Sequence, residues 1–339
     1  MGDEHQAAGD PAGPNARSTA ELRAEAAAGR VGTAELENAA QRALTAFCWW
    51  RDDLPRRVCE DYWRDVHGIM FARAPGLWQC RQLRLAPNRP GLWPAVTGLS
   101  FDVPEAAQPH GIPHGLFLSE ADLAAFGRHP LTRETIPNDA HHFMGRIGSQ
   151  LTPPGGGRTL VDRLDDPAMQ GPPPVPTFVL CFVARTGAAS TEEFHRFLTE
   201  HIARPWSEHP SVLRLRVEPL PPYEQSVMAS PGVAHPWPGN DTYLGWIELA
   251  VRDEGVLRDL VSGPGAAELS EQVAAIHTYP VREVYTLICA GRPTDVGLRG
   301  YPAVRTILAA GVDDQREENV LELLFGDAVH GLDQLRRRP

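Results

Sequence analysis

Cysteine is scarce and unpaired in its spacing: Cys48, Cys59, Cys80, Cys181 and Cys289 form no CxxC among 339 residues. An odd number without ligand spacing argues against a disulfide framework or a zinc site, and for reduced thiols in a cytoplasm. No apolar run approaches the roughly 20 residues of a membrane-spanning helix. Basic residues are the minority, 32 against 43 acidic, for a net charge of −11. The single dense basic cluster, Arg336 to Arg338, lies at the C-terminal tip, so the basic stripe of a nucleic-acid binder is missing. The first residues carry no apolar core of a signal peptide, and no secretory leader is expected. HExxH and GxSxG are absent. "TPPGGGRT" has the glycines of a phosphate loop but not its Gly-Lys-Ser/Thr ending.

What is there fits a soluble globular chain of about two domains, 42% hydrophobic and 22% charged. The 32 prolines and 31 glycines imply long ordered loops. Residues 1 to about 17 read as a disordered tail, and Ser18 with Glu21 forms a capping-box pattern ahead of an alanine-rich helix. A second helix is expected from Thr33. Two continuous apolar runs, "LTAFCWWR" (44–51) and "TFVLCFVAR" (177–185), suit buried strands. The expected organisation is a tail with N-terminal helices at 1–40, a first unit at 41–152 and a Pro/Gly-rich linker at 153–176. A second unit follows at 177–291 and a C-terminal helical extension at 292–339, whose two short helices would cover an open end of the assembly.

A gapless shift of 134 residues superposes the two apolar runs, placing Arg51 on Arg185 and His67 on His201. Each half then reads strand, amphipathic helix, alternating strand, strand, helix, strand. The first half places these at 44–51, 56–72, 77–86, 110–118, 119–127 and 142–151. The second places them at 178–185, 191–204, 211–219, 242–251, 253–262 (continuing to 265–276) and 280–289. That order, βαββαβ, is the ferredoxin-like unit. Its helices cover one sheet face, and two units in one chain can bury their other faces against each other. The expected class is α+β: two ferredoxin-like units forming an intrachain barrel.

"DYWRDVHG" (61–68) followed by "WQCRQLRL", together with "HGLFLSEADLAAF" (114–126), resembles the EthD-like families of dimeric α+β barrel proteins. "FHRFLTEHIARPW" and "VLRLRVEPL" carry the likeness more weakly into the second half. The resemblance covers about 45–150 and 177–290, and implies an internal pseudo-dimer, with a further homodimer possible. It implies a range of activities: cofactor-free decarboxylases and cyclases of aromatic polyketides, muconolactone isomerases, cofactor-free quinone-forming monooxygenases and, more distantly, haem enzymes. A site between the sheet and the helices of one unit is implied as well.

The helix histidines His67 and His201 are the candidate acid/base groups, because imidazole titrates near neutral pH. His67 shares a stripe with Cys59, Trp63 and Met70, flanked by Tyr62; His201 shares one with Phe194, Phe197 and Leu198. The competing reading is a helix-end histidine bonding free carbonyls, and Pro205 strengthens it for His201. Strand alternation sets Arg214, Arg216 and Glu218 on one face, matched in the first half by Cys80, Gln82 and Arg84. Arg214 could grip a carboxylate or enolate, or sit in an ion pair with Glu248. His114 falls on Glu248 across the repeat, and both are candidate acid/base groups. Tyr62, Trp63 and Cys80 complete the candidate binding residues, though Cys80 also reads as a buried inert thiol. "DAHHF" (139–143) is a weak metal candidate.

With these residues, the resemblance implies a cofactor-free enzyme acting by proton transfer (decarboxylation, cyclisation or isomerisation) on an aromatic or polyketide-like small molecule. His67 is its acid/base, and the first half is favoured for the chemistry. An oxidative enzyme, cofactor-free or haem-binding through a helix histidine, and a non-catalytic small-molecule scaffold remain as alternatives.

Overall fold

The computed structural model describes residues 19–27, 30–238, 242–262 and 266–326. The expected tail, the Ser18 cap and the Arg336 to Arg338 cluster lie outside them. Two helices, Thr19–Ala27 and Thr33–Asn38, precede β1 (Arg42–Trp50), β2 (Gln79–Leu85), β3 (Gly111–Phe117) and β4 (Met144–Leu151). Then come β5 (Arg158–Asp162), β6 (Gln170–Gly171), β7 (Thr177–Ala184), β8 (Val212–Pro219), β9 (Gly245–Val251), β10 (Val273–Cys289) and β11 (Arg292–Pro293). A helix at 56–71 joins β1 to β2, and helical segments over 120–140 join β3 to β4. Their counterparts are at 191–208, and at 256–262 with 266–272.

The first unit has strand order β4-β1-β3-β2 and the second β10-β7-β9-β8, all antiparallel. Both are ferredoxin-like, as expected. They are joined by strands that change unit. β10 pairs with β7 over its first half and with β2 of the first unit over its second. Likewise β5, continuing the path of β4, pairs with β8 of the second unit. The two sheets thereby close into one barrel within the chain.

Two expectations give way here. The stretch 153–176 is not a linker, since it contributes β5 and β6 to the sheet. The last strand begins at Val273, not near 280, because 273–280 is the second unit's own fourth strand and the rest is the crossover. The C-terminal segment also differs. Its described residues form three α-helices, Asp295–Arg299, Tyr301–Ala310 and Glu318–Phe325, and the first two pack on helix 56–71 rather than over an open end. There Arg64 lies between the rings of Tyr285 and Tyr301, 4.8 and 4.7 Å from their centroids.

Alternation sends one side chain to the helices and the next into the barrel. The opening strands are apolar on both faces because both are buried. Phe47, Trp49, Val179, Cys181, Trp246 and Tyr279 fill one part of the interior. The other part is charged. Arg81 grips both oxygens of Glu248 at 2.8 Å, and Arg214 bonds Glu248 at 3.2 Å and Glu37 at 2.7 and 2.9 Å. Arg214 also pairs with Asp162, and Arg216 with Glu218. His114 Nε2 lies 2.9 Å from Glu218, and Thr152 donates to the other carboxylate oxygen at 3.0 Å. Glu37 comes from the second N-terminal helix, which this network ties to the barrel. Gly157 leaves room beside it, since a Cβ there would meet the Glu218 carboxylate.

Burial alone would raise these carboxyls. Arg214, Arg216 and Arg81 outweigh it at Glu37, and Arg216 with His114 at Glu218, holding both down at about 2. Arg214 and Arg81 hold Glu248 well below the usual carboxylate range in the same way.

Removing one partner strands a buried charge, which costs about 3–5 kcal/mol. Glu248→Ala is therefore expected to lower unfolding stability by that amount in urea titrations, and a loss under ~1 kcal/mol would contradict the network's role. Because the folded-state values of Glu37 and Glu218 are depressed from 4.5 to about 2, their contribution is present above pH 4.5. It should be lost as pH falls towards 2, which thermal melts across that window would read.

Candidate active site

In the first unit the helices do not fully close over their sheet. A cleft remains, enclosing about 650 Å³ of unfilled space with the solvent at its mouth included. It is a narrow slot, in which the centre of a water molecule can range over only about 50 Å³. Its walls are mostly apolar, among them Leu44, Leu77, Phe126, Ile136 and Leu287. A widened, π-helical turn, Trp63–His67, borders it, and a second, Leu131–Thr135, leads into the helix whose Ile136 and Ala140 line it. Such turns hold one extra residue and recur at functional sites. Gly68 lets the first lie close on the sheet, since a Cβ there would come within 2.8 Å of Gln82 and Leu287.

His67 is buried in the wall, its ring against Phe143 and Phe71 at 4.9 and 5.3 Å between centroids. Nδ1 lies 2.9 Å from Oδ2 of Asp139, at the end of helix Ile136–Ala140. Oδ1 of Asp139 accepts from the Tyr62 hydroxyl at 2.6 Å, and His142 Nδ1 is 3.3 Å from it. Burial would raise the Asp139 carboxyl, but its bonds to His67 and Tyr62 bring it below its ordinary value. Burial and the bond to Asp139 push Tyr62 up to about 12, so its hydroxyl keeps its proton and donates it. Burial lowers His67, with Asp139 opposing in part. The outcome is a neutral imidazole that donates Nδ1–H to an ionised Asp139. Nε2 then carries the lone pair, and it hydrogen-bonds none of the described residues. An ionised Asp139 favours this tautomer, and it would stabilise the cation formed if Nε2 took a proton.

The polar residues Gln82 and Ser230 also line the slot, with Met228 beside them. Gln82 donates from Nε2 to the Trp63 carbonyl at 2.9 Å and leaves Oε1 without a partner. Ser230 and Met228 reach in from the second unit's β8–β9 loop. Of the candidate binding residues Trp63 and Cys80 line the slot, whereas Tyr62 lies one step back and bonds Asp139. The Cys80 thiol is pushed up to about 12 by burial, the inert condition and not that of a nucleophile.

The remaining candidates lie elsewhere. Arg214 and Glu248 are inside the barrel, each in ion pairs, so the ion-pair reading of Arg214 is the one the structure supports. His114 borders the slot, but its imidazole bonds Glu218 and makes no bond to Glu248. His201 is on the surface, with more than half its side chain exposed and Nδ1 3.4 Å from Glu268.

A single inserted residue explains two of these corrections. Thr45 pairs with His114 and Val179 with Glu248, which keeps the 134-residue shift. Arg81 pairs with His114, however, and Arg216 with Glu248, which is one residue more. The second unit's widened turn, Leu198–Ala203, has six residues against five in the first. The buried pair His67–Gly68 therefore matches Ile202–Ala203, not His201. Beyond that insertion Arg81 matches Arg216, and Cys80 falls on the face opposite Arg214.

Asp139 and Gln82 were not picked out from sequence as site residues, nor were Met228 and Ser230. Asp139 stands in "DAHHF", where the histidines suggested a metal instead. Among the described residues no group of three His, Cys, Asp or Glu could hold a metal ion, and no helix is long and apolar enough to cross a membrane. A haem does not fit the slot. His67 could offer Nε2, but the lining has no arginine or lysine to meet the two propionates, and the space is too narrow for a macrocycle.

No family model matches the chain. No curated protein matches it either. Among solved structures it is similar to an anthrone oxidase-like protein, at 12% identity and a TM-score of 0.42 over 76% of this chain and 95% of that one. A dye-decolorizing protein from V. cholerae matches at 12% identity and 0.37 over 74% and 97%. A mutant chlorite dismutase from Candidatus Nitrospira defluvii matches at 11% and 0.35 over 71% and 90%. Likeness this distant says nothing of chemistry, and the fold assignment stands on this chain's own strand order.

Cys80 should resist labelling. In the folded protein at pH 8, Ellman's reagent is expected to reach at most the half-buried Cys289, and all five thiols after unfolding in guanidinium. Prompt modification of Cys80, mapped by peptide mass, would contradict the inert assignment.

Proposed function

We propose that the protein is a cofactor-independent acid/base enzyme acting on a small, largely apolar substrate of aromatic or polyketide type. The carrying observation is the Tyr62–Asp139–His67 relay, which ends on a free Nε2 at the wall of an apolar slot. His67 Nε2 takes a proton from an acidic C–H or O–H of the bound substrate. The electron pair stays on the substrate as an enolate or phenolate, and the imidazolium is held by Asp139. Return of the proton to another position completes an isomerisation, or a cyclisation if the enolate first attacks a carbonyl of the same molecule. Decarboxylation is less favoured, since the slot has no arginine or lysine to seat a carboxylate. Oxygenation would begin with the same proton removal, and oxygen uptake during turnover separates it from isomerisation. A non-catalytic carrier would bind without conversion.

General-base catalysis is typically worth 10²–10⁴-fold, so His67→Ala should lower kcat by about that factor while the protein stays folded by circular dichroism. Unchanged turnover of an identified substrate would remove His67 from the mechanism. Because the neutral imidazole is the active form and its value is lowered from 6.5, kcat/KM should be flat at neutral pH. It should fall about tenfold per pH unit only once pH drops through a midpoint below 6.5. A midpoint above that value would show that Asp139, not burial, dominates.

A further inference from the structure

The two units exchange more than strands. The first unit's β2–β3 loop crosses to the second unit's fourth strand, where Ser100 N donates to Ala274 O at 2.9 Å and Ile276 N to Ser100 O at 3.0 Å. The second unit's β8–β9 loop does the same in return, with Ala234 N donating to Gly145 O at 3.0 Å and Ile147 N to Ala234 O at 2.9 Å. Ser100 and Ala234 are the matched bridge residues, both parallel and 134 positions apart.

The equivalent loops carry different side chains to the equivalent places. In the second unit Leu92, Trp93, Leu99 and Phe101 join the core under helix 191–208. Trp93 stacks on Phe101 and Trp206, and its Nε1 donates to Thr278 at 2.6 Å. That space is filled. In the first unit the returning loop offers Met228 and Ser230, and the slot stays open. The loop is firmly held there. Val227 N donates to the Ser149 carbonyl at 3.0 Å, Met228 N to its hydroxyl at 2.9 Å, and the hydroxyls of Ser149 and Ser226 are 2.6 Å apart. Ser230 N is held by His235 at 3.1 Å, whereas the Ser230 hydroxyl bonds none of the described residues although the residue is buried.

We propose that residues 221–238 of the second unit are the specificity element of the first unit's slot, with Met228 setting its depth and the Ser230 hydroxyl positioning a polar group of the ligand. This rests on the slot being the substrate site but not on its chemistry. The second repeat then has a task of its own: it supplies part of the site that the first repeat cannot complete.

Binding of 2-naphthol, followed by its fluorescence, tests this without turnover, so failure of the acid/base reading leaves the outcome untouched. Met228→Trp, which copies the Trp93 plug, should weaken binding at least tenfold. Ser230→Val should weaken it several-fold, and Leu323→Ser, exposed on the C-terminal helix Glu318–Phe325 and outside the loop, should leave it within twofold. Equal affinity of the parent, Met228→Trp and Ser230→Val proteins overturns the proposal, as does lack of saturable binding to the parent. If Met228→Trp does not fold by circular dichroism, Ser149→Ala replaces it. Loosening the loop's anchor should then weaken binding several-fold, and unchanged affinity again overturns the proposal.

Discussion

A ferredoxin-like unit covers one face of its sheet with its own helices and leaves the other bare. This chain meets that constraint by turning two bare faces on each other and letting the fourth-strand path of each unit run on into the other. β10 is the clearest expression, one strand of 17 residues serving both units. Enclosure of the interior then sets what can survive there. Charged side chains remain because each arginine meets a carboxylate, and the second N-terminal helix is drawn in to supply Glu37. Satisfied in this way, the interior is an ionic clamp between the units, with its arginines and carboxylates engaged on one another.

The open slot lies instead on the outer side of the sheet, between strands and helices. Both units have that space, and their differences decide its use. In the second, Trp93 arrives from the opposite loop and Ile202 stands where the first unit has His67. In the first, His67 is backed by Asp139 and Tyr62, and the opposite loop leaves room. The scaffold is common to both halves, while among the described residues His67, Asp139 and Tyr62 stand beside an open slot in the first.

The fold was largely legible. The apolar strands, the helix spacing and the repeat gave the βαββαβ order and the barrel, because periodicity follows directly from which faces are buried. The crossover was not, because "TPPGGGRTLVDRLDD" has the composition of a linker although its second half pairs with β8. A gapless shift also hides a one-residue insertion. It reads as a match through His67 and His201, yet it inverts every side chain of the following strand, which is why Cys80 was set beside Arg214. Of the site, His67, Trp63 and Tyr62 were visible as an aromatic helix face. Asp139 was not, since only the packing of two helices 72 residues apart in sequence brings it to His67. His114 and Glu248, read from sequence as candidate acid/base groups, are engaged with Glu218 and with Arg81 and Arg214 in the barrel interior.

The account depends on one nitrogen, His67 Nε2, being an unprotonated base at neutral pH. Nitrogen-15 NMR of the imidazole reads this directly. The predicted spectrum at pH 7 has a protonated, pyrrole-type Nδ1 and a lone-pair, pyridine-type Nε2, and titrates to imidazolium only below pH 6.5. An Nε2–H tautomer, or an imidazolium persisting at pH 7, would contradict the account.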